Sequence, residues 1–79
     1  MNELKIFNNP DFGEVRTMNI GGEPWFVGKD VAGVLGYSNP NDALKKRVDA
    51  DDRGVAKCDT LGGAQELTII NESGLYSLV

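Results

Sequence analysis

Residues Gly28–Val48 read GKDVAGVLGYSNPNDALKKRV, and the fold turns on how this stretch is parsed. Val31, Val34 and Leu35 fall at helical spacing, which predicts a short helix over Lys29–Leu35. Gly36 is placed to end it, because a glycine just past a helix adopts the left-handed conformation cheaply. Asn39 suits the N-cap of a second helix, Pro40 its first position, and Asp42 its positive end. Ala43, Leu44 and Val48 can face inward, leaving Lys45 and Lys46 outward. This second helix is about 13 Å long, too short to persist without tertiary packing. Two short helices around a tight turn resemble in outline the helix–turn–helix arrangement used both for reading DNA and for protein contact.

Working outward, Leu4–Phe7 is a strand candidate stopped by Asn8-Asn9-Pro10. Glu14–Ile20 and Pro24–Val27 flank Gly21-Gly22, a pair that tolerates positive φ at both positions of a tight hairpin turn. Pro24 cannot donate to a ladder, so it belongs at a strand start or on an edge. Downstream, Asp49–Arg53 reads as a polar connection. Val55–Asp59 and Glu66–Ile70 form a second hairpin across Leu61–Ala64, with Ala56 and Cys58 on one side and Lys57 and Asp59 on the other. Asn71 is a second N-cap, opening a helix with Leu75, Leu78 and Val79 on one apolar face. The expected class is α+β: two short antiparallel hairpins packed with a helix-turn-helix-like pair and a C-terminal helix. Residues 1–79 make a single domain, expected to be truncated within or after that last helix.

Composition removes most catalytic chemistry. The chain has one cysteine and no histidine, so neither a Cys/His zinc site nor an imidazole-based triad can be assembled. Asp49–Gly54 has a glycine where a calcium loop needs one, but Arg53 occupies a position that requires an oxygen ligand. No phosphate-cradling glycine pattern occurs. An enzyme, a metal site, a cofactor and a small-molecule substrate are therefore not expected. No apolar run is long enough for a membrane span and no signal peptide is visible, so a cytoplasmic location is expected.

Charge is unevenly divided. The net value is −4, yet Gly28–Val48 carries +2 against −6 for the rest. Lys45, Lys46 and Arg47 end a helix, where cations complement its dipole by about 0.3–1 kcal/mol each and need no ligand. From charge alone that explanation is favoured over phosphate contact. Asn39 and Asn41 could read an adenine edge, although capping explains them equally.

WFVGKDVAGVLGYSNPNDALKKRV, then GVAKCDT, then LTIINESGLYSLV, in this order, resemble the BRO-N domain, the N-terminal module of BRO proteins and phage antirepressors. The diagnostic pieces are Trp25-Phe26-Val27 before Asp30-Val31-Ala32, the Leu35-Gly36-Tyr37 turn, and Ile70–Tyr76. The likeness runs from about Phe7 to Val79. Arg47 stands where relatives often carry histidine; arginine can still hold a phosphate or a carboxylate. The resemblance implies an α+β domain, encoded by a phage or prophage, that acts on transcription in the bacterial host and favours lytic development. On the first reading the partner is double-stranded DNA, contacted by Lys29, Asn39, Asn41, Lys45, Lys46 and Arg47. Such a single module binds weakly, so a homodimer is expected. On the alternative, the chain binds and inactivates a phage repressor through acidic Asp49, Asp51, Asp52 and Asp59. Leu75 and Leu78 would add an exposed apolar stripe, which also invites dimerisation.

Overall fold

The computed structural model of the chain describes residues 4–9 and 13–79. Five strands form one antiparallel sheet: β1 (Lys5–Asn9), β2 (Gly13–Ile20), β3 (Glu23–Val27), β4 (Arg53–Thr60) and β5 (Gly63–Ile70), in the order β1-β2-β3-β5-β4. Three helices complete it: α1 (Gly28–Val34), α2 (Pro40–Arg47) and α3 (Glu72–Leu78), with a single 3-10 turn at Ala50–Asp52. The expected α+β class holds. The first hairpin is enlarged to a meander by β1, which runs on through Asn8 and Asn9 instead of stopping at them because both pair with β2, at Glu14 and Gly13; Pro10 lies outside the described residues.

Gly21 and Gly22 have φ of 59° and 81°, the double positive value that a two-residue turn between β2 and β3 needs. Pro24 is the second residue of β3, opposite Asn19, near the strand's start as expected although β3 is not an edge strand. It is tolerated because β3 meets β5 only through Phe26↔Ile70 and Val27↔Ile69, so no neighbour reaches the missing N–H. The second hairpin is tighter than its glycines imply. Pairing continues to Thr60↔Gly63, leaving only Leu61 and Gly62 in the turn.

The sheet is buried on both faces. On one, Val15 and Ile70 meet Val31, Ala43, Leu44, Val48 and Leu78 from the three helices. On the other, Met18 and Val27 join Ala56, Cys58, Leu67 and Ile69. No helix contributes to that second cluster, yet Cys58 on the terminal strand β4 is 0% exposed. The sheet must therefore coil so that its two wings cover each other, which the two-residue β3–β5 junction permits. Burial pushes the Cys58 thiol up, against the nearby positive charge of Arg16.

Candidate nucleic-acid interface

The α1–α2 pair is held at close range by a glycine. A Cβ on buried Gly28 would lie 2.8 Å from Leu44 Cδ1, so the residue that starts α1 also lets α2 approach. α1 ends in a Schellman arrangement: Tyr37 N–H donates to Ala32 O at 3.0 Å and Gly36 N–H to Gly33 O at 3.1 Å, with Gly36 at φ +89°. α2 then begins as its sequence predicts. Asn39 Oδ1 accepts from Asp42 N–H at 3.2 Å and Pro40 fills the first turn. Ala43, Leu44 and Val48 are buried beneath it.

Of the six candidate DNA contacts, four ride on α2 and differ in how free they are. Asn41 and Lys45 are exposed, one turn apart, and neither side chain meets a polar partner among the described residues. Lys46 Nζ lies 3.3 Å from Asp42 Oδ2 in an exposed i,i+4 pair of small energetic weight. The Arg47 guanidinium lies over the Tyr37 ring, 5.3 Å from its centroid. Asn39 is spent on its cap. Lys29 stands apart from the group: it lines a shallow depression with Glu14, Arg16 and Asp30, whereas Gly28 one residue earlier faces α2.

The proposed acidic and apolar contacts are only partly brought together. Asp49 and Asp51 are exposed in the turn after α2. Asp52 is engaged: its Oδ1 accepts from Asn71 Nδ2 at 3.1 Å. Asp59 lies six residues along β4 from Arg53, about 20 Å away in an extended strand, and does not join the cluster. Leu78 belongs to the core at 2% exposure and Leu75 is half-buried, so the exposed stripe on α3 is instead Tyr76 and Val79. Leu78 packs inward among Val31, Leu44, Val48 and Ile70, and Tyr37 Oη donates to its carbonyl at 2.7 Å, fastening the end of α3 to the α1–α2 turn.

Two features escaped the sequence. Arg16 forms a fork with Asp30, Nε to Oδ2 at 2.8 Å and Nη2 to Oδ1 at 2.9 Å, while the Arg16 amide also donates to Oδ2. Burial pushes the Asp30 carboxyl up, but these bonds and Lys29 outweigh it and hold the group below its ordinary range. Asp30 likewise raises Arg16, against the cost of burial. The second is an apolar cavity of about 300 Å³ whose lining includes Phe7, Val15, Phe26, Val34, Leu75 and Tyr76. Its walls come from β1, β2, β3, α1 and α3, so no local pattern announces it. Among the described residues no helix is long and apolar enough to cross a membrane.

The family model for the N-terminal domain of the BRO family matches residues 14–79. The chain is 37% identical over 79 residues to an uncharacterised Haemophilus influenzae protein, covering 98% of this chain and 38% of that one. It is 38% identical over 74 residues to a Bro-N domain-containing protein of Invertebrate iridescent virus 6, covering 71% of this chain and 18% of that one. The chain thus spans well under half the length of these relatives. No solved structure is a significant match.

Proposed function

This chain belongs to the BRO family by its N-terminal domain, and on that premise we propose a DNA-binding transcriptional regulator of the phage antirepressor kind, with α2 as its contact helix. The observation that carries the reading is the outer face of α2. Asn41 and Lys45 stand one turn apart, exposed and unpaired, with Lys46 and Arg47 beside them in a chain that is otherwise acidic. An asparagine can take the donor–acceptor pair of an adenine in the major groove, and the lysines suit phosphates on either side. Asp42 tempers Lys46, so few phosphates are neutralised and affinity depends steeply on a second module or a second copy.

Fluorescence anisotropy with control-region DNA from the encoding phage or prophage, across a salt series, tests it. Replacing both Lys45 and Lys46 by alanine should reduce the slope of log K against log salt by about 2, since each phosphate contact contributes about 0.9. Negligible and equal binding to that duplex and a scrambled one at low salt rejects the proposal.

A second reading rests on Asp49 and Asp51, which are exposed directly after α2. They would engage the basic DNA-reading face of a phage repressor. Co-purification with the repressor, lost on Asp49→Lys with Asp51→Lys, supports this; a repressor still operator-bound in excess chain argues against it.

A further inference from the structure

β4 is an edge of the sheet, eight residues long against five for β1 at the other edge. The turn is closed by Thr60↔Gly63, so Thr60, Cys58 and Ala56 direct their amides and carbonyls to β5. Asp59, Lys57 and Val55 direct theirs away from β5, to the side where no described strand pairs with β4. Their side chains are exposed as well, Val55 at 68%, and Leu61 at the turn is fully exposed. An apolar residue this open on an unpaired ladder is a template for another strand.

We propose that β4 pairs with β4 of a second copy of this chain, antiparallel and centred on Cys58, so that Lys57 of each copy faces Asp59 of the other. The main-chain pattern admits only registers that set outward-facing residues opposite one another. Centring on Lys57 or Asp59 opposes identical charges, and centring on Val55 sets Lys57 against Arg53. Centring on Ala56 pairs Arg53 with Asp59 but leaves Lys57 against Val55. The Cys58 register alone sets Lys57 against Asp59 and brings Val55 beside Leu61, each contact occurring twice by symmetry. A lysine on an edge ordinarily repels a second strand; here the aspartate two positions on supplies its counter-charge. Lys57 also faces Glu66 of its own β5, which places it between two carboxylates. β1 offers no such self-complementarity, since Lys5 is its one charged residue.

Sedimentation equilibrium over a concentration series reads the association, with circular dichroism verifying that exposed-site variants stay folded. The wild-type chain should dimerise, and Val55, Lys57 and Asp59 amides should exchange more slowly as concentration rises. Asp59→Lys and Lys57→Asp should each weaken association about tenfold or more, because each places like charges opposite one another twice. The combined reversal, K57D with D59K, should restore it. A chain that stays monomeric at millimolar concentration overturns the proposal. So does association indifferent to the single reversals, which would assign the contact to the apolar cavity beside α3, or a combined variant no better than the singles.

Discussion

Asn71 is bound to Asp52 twice: its backbone amide donates to the Asp52 carbonyl at 3.1 Å and its Nδ2 to Asp52 Oδ1 at 3.1 Å. The same side chain caps α3, its Oδ1 accepting from Gly74 N–H at 2.9 Å. One residue thus ties the turn after α2 to the start of the last helix. Asn71→Ala should cost about 1–2 kcal/mol in urea unfolding. Asn71→Asp keeps a cap oxygen for Gly74 N–H but replaces the donor to Asp52 with a second carboxylate, so it too should be less stable than the wild type at pH 7.

The Arg16–Asp30 fork makes stability depend on acid. Asp30 titrates below its ordinary value when folded, so its contribution is complete above the unfolded aspartate pKa of about 4 and is lost as pH falls through the lower folded value. Asp30→Asn should lower stability at pH 7 by about 1–3 kcal/mol and remove that part of the acid dependence. Unfolding curves for the two proteins at pH 7 and pH 3 should therefore lie closer together at the lower pH.

Two helical glycines should respond oppositely to alanine. A Cβ at Gly74 would sit 3.0 Å from both Ile70 Cβ and Val48 Cγ1 and 3.2 Å from Asp52 O, so Gly74→Ala should cost about 1–3 kcal/mol. Gly33 meets nothing within 4 Å, and Gly33→Ala should add up to about 1 kcal/mol through helix propensity. Thermal melts of the pair measure both signs.

Arg47 and Lys45 should separate structural from contact roles. Arg47→Ala removes a cation stacked on Tyr37 and should lower stability by about 0.5–1 kcal/mol. Lys45→Ala should leave the melt unchanged and alter only the salt slope of DNA binding. Tyr37→Phe, which deletes the donor to Leu78 O, should cost about 1 kcal/mol without touching that slope.

Local chemistry made much of this fold readable. Asn39 and Asn71 cap the helices they were expected to cap, Gly36 closes α1, and Gly21-Gly22 turns the first hairpin. These features depend on neighbours within a few residues, where side-chain preference acts directly. What stayed hidden depends on distant partners. Nothing near Arg16 marks Asp30, fourteen residues away, as its counter-ion. The burial of Leu78 depends on residues of β2, α1, α2 and β5 that pack around it, and the separation of Asp59 from the other acids depends on where β4 pairs with β5. Periodicity likewise could not show that the face bearing Cys58 is covered by the coiling of the sheet.

The two-residue junction between β3 and β5 is also the least local pairing in the sheet. Most other strand pairings lie within the meander or within the second hairpin, each closing a short loop. Val27↔Ile69 and Phe26↔Ile70 close a loop that contains α1, α2 and the whole of β4, and so carry the largest ordering cost. Joining the two wings is therefore the pairing that costs the chain most to close, and Val27 with Ile70, both at 0% exposure, bury the junction once it is made.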